Sequence, residues 1–175
     1  MVEIRAARLP EDADAIAAID TSFTSDAYFK IEKNDDGFRL ALTRSEPFVK
    51  RFTVYDLRHD DRPWDRANVA VESGRIIGFL ATEFQFWNRR LVLWHLYVDA
   101  SARGRGVGHL LMARAMARAA EEKAICIWLE TSNLNVPGVA WYRKQGFELG
   151  GLDTTLYAGT PAAREEALLF VRFLP

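Results

Sequence analysis

The stretch Val98-Asp99-Ala100-Ser101-Ala102-Arg103-Gly104-Arg105-Gly106-Val107-Gly108 decides how this chain folds. Just upstream, Arg90–Val98 is rich in aliphatic and aromatic side chains and has the length of a strand. Downstream, Val107, Leu111 and Ala115 fall on one stripe of a helix, and Arg114, Arg118 and Glu122 on another. That pattern predicts a helix running to about Lys123. Ile125–Glu130 then reads as a compact second strand. A strand, a glycine-rich turn, a helix and another strand make a crossover unit, expected to be right-handed and to bring the two strands parallel.

The turn itself carries chemistry. Gly104, Gly106 and Gly108 alternate, so backbone N–H groups can face outward without Cβ interference. A helix N-terminus adds partial positive charge, and Arg103 and Arg105 add two guanidinium groups. Together these suit a pyrophosphate. The nucleoside-triphosphate loop would need Gly-Lys-Ser/Thr at its end, which is absent. The dinucleotide fingerprint needs Gly-x-Gly-x-x-Gly in an opening βαβ unit. Here the spacing is Gly-x-Gly-x-Gly, and it comes after about a hundred residues. On the turn alone, a purely geometric role for the glycines, with solvated arginines, stays open.

Working outward, Val2–Ala7 reads as a first strand and Glu11–Ile19 as a helix, with Ala13, Ile16, Ala17 and Ile19 at helical spacing. Thr21–Arg66 holds polar clusters, among them Asn34-Asp35-Asp36-Gly37, and reads as loops with short elements. Asn68–Glu72, Arg75–Phe86 and Arg90–Val98 are separated by the turn signals Ser73-Gly74 and Trp87-Asn88-Arg89, which predicts an antiparallel meander. Asn135 can cap a helix that has Pro137 in its first turn and ends at Gly146. Strands follow from Phe147 and over Ala167–Phe173. The fold class is α/β (α+β): a mixed, mostly antiparallel central sheet flanked by helices. No linker splits it, so residues 1–175 are expected to form a single domain.

A second constellation follows the crossover. Glu130 ends the strand Ile125–Glu130, and Asn135 and Tyr142 stand seven apart on one side of the next helix. A carboxylate and a phenol facing one cleft can serve as base and acid. Taken without the glycine turn, packing of Tyr142 and solvation of Glu130 explain these residues as well.

The two segments together resemble the GNAT superfamily of acetyl-CoA-dependent N-acetyltransferases. Arg103, Gly106 and Gly108 match its Arg/Gln-x-x-Gly-x-Gly/Ala turn. Asn135, Tyr142, Gly146 and Phe147 match its Asn-x-x-Ala-x-x-x-Tyr-x-x-x-Gly-Phe pattern, with Gly138 in place of the alanine. Ser22–Asp26, Trp87–Leu91 and Gly151–Tyr157 look like segments of the streptothricin (nourseothricin) acetyltransferases, which acetylate the β-lysine amine of a cationic antibiotic. Those enzymes tend to carry acidic residues on the strand before the glycine turn, where this chain has Trp94-His95-Leu96-Tyr97. Trp128-Leu129-Glu130 with Tyr142 also resembles the ribosomal-protein alanine N-acetyltransferases, whose matching glutamate and tyrosine are the proposed base and acid.

The resemblance implies a parallel strand–helix–strand acetyl-CoA site and direct transfer of acetyl to a primary amine. Glu130 would take the amine proton and Tyr142 would protonate the departing thiolate. A backbone N–H among Leu96, Tyr97 and Val98 would stabilise the thioester oxygen. The pyrophosphate would lie on Arg103, Gly104, Arg105, Gly106, Val107, Gly108 and His109, with His109 offering its backbone, and Asn135 would touch the pantetheine arm. Trp64, Trp87, Asp20, Asp26 and Asp153 are candidates for an acceptor pocket. Asp26, Trp87, Asp153 and Tyr157 also fall in the streptothricin-like segments. His95 is an alternative base. A dimer through the last strands is also implied.

Composition bounds the partners. With 23 Lys+Arg against 24 Asp+Glu, the net charge of −1 argues against a phosphate-backbone partner, and the scattered aromatics lack a basic stripe for nucleic-acid stacking. The lone Cys126 permits no internal disulfide and, in an apolar strand, reads as a buried inert thiol. No spacing of His, Cys, Asp and Glu suggests a metal site. Met1–Arg5 lacks a signal-peptide pattern and no apolar run approaches a membrane span, so the expectation is a cytoplasmic protein without membrane contact. Residues 11–36 are rich in Asp and Glu, which suits recruitment of a cationic amine and, equally, an ordinary solvated surface. The leading expectation is therefore acetylation of a small cationic amine. The alternatives are a protein N-terminal or lysine acetyltransferase, and a non-catalytic acyl-CoA sensor.

Overall fold

The computed structural model describes all 175 residues, which form two compact units. The first comprises Met1–Ser22, Arg51–Trp128 and Phe173–Pro175, and the second Phe23–Lys50 and Leu129–Arg172.

In the first unit, strands β1 (Glu3–Ala6), β4 (Arg66–Glu72), β5 (Arg75–Gln85) and β6 (Arg90–Val98) lie side by side in that order, with the start of β7 (Cys126–Ser132) next to β6. The expected meander is present: β4 and β5 pair antiparallel, as do β5 and β6. Ser73-Gly74 turns the chain between β4 and β5 in left-handed conformation. Helix α2 (Val107–Glu121) connects β6 to β7. That is the crossover a parallel neighbour requires, and the sheet is mostly antiparallel with one parallel pair. The expected apolar stripe of α2 is buried: Val107, Leu111 and Ala115 are nearly solvent-free. A second cluster holds Ile16 of the short helix α1 (Ala13–Ala17) together with Trp64, Val69 and Phe79.

Arg118 departs from the expected solvated stripe. It is buried, donating to Thr82 O and Oγ1 at 2.8 Å and to Asp65 at 2.8 Å. A guanidinium tolerates that position because fixed acceptors replace its water.

In the second unit, the end of β7 is followed by β9 (Ala167–Phe173) and then β8 (Glu148–Asp153), with β8 and β9 antiparallel. Helix α3 (Val136–Lys144) separates β7 from β8 in the chain. The reading of Thr21–Arg66 as loops is corrected here. Residues 23–50 form a long two-stranded hairpin of β2 (Phe23–Asn34) and β3 (Gly37–Lys50). Asn34 pairs with Gly37, so the polar cluster is the hairpin turn itself. Ser25, Ala27 and Phe29 alternate inward, and Asp26–Arg44 and Glu32–Arg39 link the strands. Arg143 of α3 sits over the Phe29 ring at 5.7 Å.

Asp99, just after β6, ties the first unit together. Its carboxylate accepts from Arg75 (2.7 Å), from Asp20 N (3.1 Å) and from both the N–H and hydroxyl of Ser101. Burial pushes its acidity weaker, but the Ser101 and Asp20 donors and the Arg75 charge outweigh that and hold its pKa at about 2, against an ordinary 3.8. The folded value is depressed, so this stabilisation is full above about pH 4 and is lost as pH falls toward 2. It amounts to about 2 kcal/mol. Asp99→Asn should lower the melting temperature by roughly 5 °C at pH 7. The difference from the parent should shrink toward pH 2. An equal difference at both pH values would assign the loss to packing.

Candidate functional site

In the first unit the glycine turn leads directly into α2. Asp99 caps a single 3-10 turn (Ala100–Ala102), after which Gly104 and Gly106 adopt φ of +75° and +84°. Gly106 is the N-cap of α2 in left-handed conformation, and no side chain caps the helix. At the first two positions of this 15-residue helix, Val107 and Gly108, the N–H groups therefore have no side-chain cap. A Cβ at Gly104 or Gly106 would meet open space, so the turn is uncrowded at both positions.

The two arginines are engaged by the protein, unlike the sequence expectation. Arg103 donates to Val98 O (3.0 Å), Ser22 O (2.6 Å) and Asp20 O (3.1 Å). It is a strut that fixes the turn against the segment after α1. Arg105 pairs with Glu72 at 2.5 Å, and the hydrogen bond, helped by the opposite charges, lowers the pKa of Glu72 and raises that of Arg105.

On β6, the pairing with β5 shifts register between Ala81 and Thr82, a bulge at Trp94. Beyond it Leu96, Tyr97 and Val98 are half-buried, opposite Leu80, Phe79 and Gly78. His95 is buried, with Nε2 at 3.0 Å from both Asp56 oxygens, while Trp64 Nε1 donates to Asp56 at 2.7 Å. Burial raises the Asp56 pKa, but the bonds and charge of His95 reverse that and leave it lowered. The partner of His95 thus comes from a segment 39 residues upstream. His95 packs among Trp64, Phe79 and Tyr97 as a core group, and its Nδ1 has no partner.

In the second unit, Glu130 lies within β7, which continues two residues beyond it to Ser132. Its Oε1 accepts the Tyr157 phenol. Burial raises the Glu130 pKa; the Tyr157 bond lowers it, and the Glu165 charge adds to the rise. Tyr142, on the buried face of α3, packs edge-on to Trp141 and Phe147. Burial, then the negative charge of Glu130, pushes its phenol pKa far up, so it stays protonated. The Glu130 charge is therefore felt at the Tyr142 phenol.

Asn135 caps α3 as expected, accepting from Gly138 N at 3.1 Å while its Nδ2 donates to Thr131 at 2.8 Å. A Cβ at residue 138 would lie 2.3 Å from Asn135 Nδ2. Glycine at this position therefore permits the folded-back cap, and an alanine would push the Asn135 side chain out.

The candidate acceptor residues have different local surroundings. Tyr157 meets Glu130. Asp153 accepts from Thr155 N and Oγ1 (2.7 and 2.8 Å), a turn role that lowers its pKa. Asp26 is held by Arg44 on the hairpin at 2.5 Å. Trp87 is 84% exposed at the β5–β6 turn. Within the acidic stretch, Asp12, Asp14, Asp20, Asp26 and Glu32 pair with Arg5, Arg58, Arg51, Arg44 and Arg39. Sequence reading missed Asn133, whose side chain and backbone join Phe29 to Glu166. It also missed Glu165, which accepts from Ser132 and pairs with Lys50. A cleft of about 640 Å³ opens beside these residues, lined by Tyr28, Phe48, Asn133, Glu165 and Glu166 among others. No helix is long and apolar enough to cross a membrane.

Comparison with known proteins agrees with this geometry. The acetyltransferase (GNAT) family model matches residues 30–147. A streptothricin acetyltransferase of Streptomyces lavendulae is 37% identical over 174 residues, 95% of this chain and 92% of that protein. The crystal structure of a nourseothricin acetyltransferase superposes with a TM-score of 0.89 at 39% identity, covering 99% of both chains. A Bacillus anthracis structure in complex with acetyl coenzyme A superposes with a TM-score of 0.80 at 28% identity, covering 100% of this chain and 98% of that one. The cofactor fits what this turn offers: an uncapped helix terminus and an uncrowded turn. The chain belongs to the acetyltransferase (GNAT) family and is an acetyl-CoA-dependent N-acetyltransferase.

Proposed function

We propose that this enzyme moves an acetyl group from acetyl-CoA directly to a primary amine of a streptothricin-type antibiotic, within the cytoplasm, and that residues 1–175 act as a single acetyltransferase domain. The antibiotic class is supported by the two relatives of 37% and 39% identity that match nearly end to end. The observation that carries the chemistry is the placement of Glu130 in β7, held by the Tyr157 phenol, and of Tyr142 on the buried face of the α3 helix that follows; the direction of the Tyr142 pKa shift, up through burial and then the Glu130 charge, supports it.

In this reading the pyrophosphate of acetyl-CoA is held by the N–H groups of Gly104–His109, fixed in place by Arg103. Glu130 takes a proton from the acceptor ammonium, directly or through one water, which frees the nitrogen lone pair. The C–N bond forms as the C–S bond breaks. A backbone N–H among Leu96–Val98 receives the charge that develops on the thioester oxygen. Tyr142 delivers a proton to the departing thiolate. A carboxyl whose pKa burial has raised is a better base at neutral pH than a solvated one.

A panel of amines with thiol-release detection tests the proposal. Streptothricin should turn over with kcat/KM of about 10⁴ M⁻¹s⁻¹ or more, the ordinary enzymatic range. Turnover confined to peptide N-termini would replace it by protein acetylation. Acetyl-CoA binding without turnover of any amine would leave only a sensor.

A further inference from the structure

The segment after β8 returns to one face of β7 at two points. Tyr157 donates to Glu130, and Glu165 accepts from Ser132 at 2.5 Å while pairing with Lys50. Glu130 and Ser132 are two residues apart on a strand, so their side chains share a face. Tyr157 is delivered there by a fixed turn. Its carbonyl accepts from Thr160 N at 3.0 Å and Thr160 Oγ1 at 2.7 Å, and Ala158 N bonds Thr155 O at 2.9 Å. The far end is anchored where Asn133 N donates to Glu166 O at 2.8 Å and Glu166 N to Asn133 Oδ1 at 3.0 Å. A segment so tied places its tyrosine by construction.

We propose that Tyr157 is a positioning residue for the proton acceptor: its phenol fixes Oε1 of Glu130 and leaves Oε2 as the atom that meets the acceptor amine or its relaying water. The inference rests on the reading of Glu130 as base. The ionisable groups facing Glu130 are Tyr142 from α3, and Tyr157 and Glu165 from the segment between β8 and β9. Lys50 of β3 compensates Glu165. Burial and Glu165 both disfavour the carboxylate, and Tyr157 is the donor that opposes them. Its phenol orients the base and keeps it ionised.

Tyr157→Phe keeps the ring and deletes the donor. Titration of the Glu130 carboxyl by ¹³C NMR, assigned with Glu130→Gln, should show its midpoint rise by about one pH unit. The ascending limb of kcat/KM against pH should move by the same amount, with KM for acetyl-CoA unchanged. Thr160→Ala, which loosens the turn without touching the ring, should shift both in the same direction by less. An unmoved midpoint with a raised acceptor KM would make Tyr157 an acceptor contact and overturn the inference alone. A moved midpoint with an unmoved rate profile would remove Glu130 as the base, and both readings with it. Melting curves matching the parent's identify folded variants for either comparison.

Discussion

Gly106→Val should weaken acetyl-CoA binding by about 10²-fold or more while leaving the protein folded. Gly106 is the N-cap of α2 at φ +84°, a conformation that costs an L-residue roughly 1–2 kcal/mol and a β-branched one more. No protein atom lies within 4 Å of a Cβ built there, so the side chain would not disrupt the core. It would instead add bulk in open space on the turn where the pyrophosphate is proposed to lie. Losing two charge-assisted backbone bonds corresponds to the stated factor. Calorimetry with acetyl-CoA reads the affinity, and a melting curve reads the strain separately. Binding within a few-fold of the parent would move the pyrophosphate off this turn. Arg105→Ala makes an informative contrast. Its guanidinium is engaged by Glu72, so its loss should cost far less than the glycine's.

That contrast marks where the sequence was legible. The spacing of glycines locates the turn because a left-handed backbone leaves a residue-type trace at the position itself. The fate of Arg103 leaves none. Whether a guanidinium meets phosphate or three carbonyls depends on where Asp20 and Ser22 arrive, about eighty residues earlier in the chain. Strands with dense apolar runs, Arg90–Val98 and Ala167–Phe173, were readable to the residue. The hairpin β2–β3 was not. Its inward positions carry Ser25 and Ala27, whose small side chains give little periodic signal. Its cross-strand pairs, Asp26–Arg44 and Glu32–Arg39, exist only once the register is known. The same limit hid the partners of the ionisable groups. Glu130 and Tyr142 follow a recognisable spacing, but Tyr157 reaches Glu130 across 27 residues and Asp56 reaches His95 across 39. The chemistry of the residues was legible. The environment that tunes it is tertiary.

Tyr142→Phe should lower kcat by about 10²-fold with acetyl-CoA affinity and melting temperature essentially unchanged. The substitution keeps the ring that packs between Trp141 and Phe147 and removes only the hydroxyl. Burial and the Glu130 charge raise the phenol pKa well above its ordinary value of 10, so Tyr142 stays in its acid form throughout the alkaline range. The parent's kcat should therefore show no loss attributable to this group up to pH 10, where a solvated tyrosine would already be half ionised. A general acid also responds to its leaving group. With an acetyl thioester of a less basic thiol, the departing sulfur needs less help, and the deficit of the phenylalanine variant should shrink. A packing role predicts the opposite, a deficit independent of the thiol. A kcat within about threefold of the parent would take proton delivery away from Tyr142. The same result would leave Glu130 standing as the base, because its proton comes from the amine.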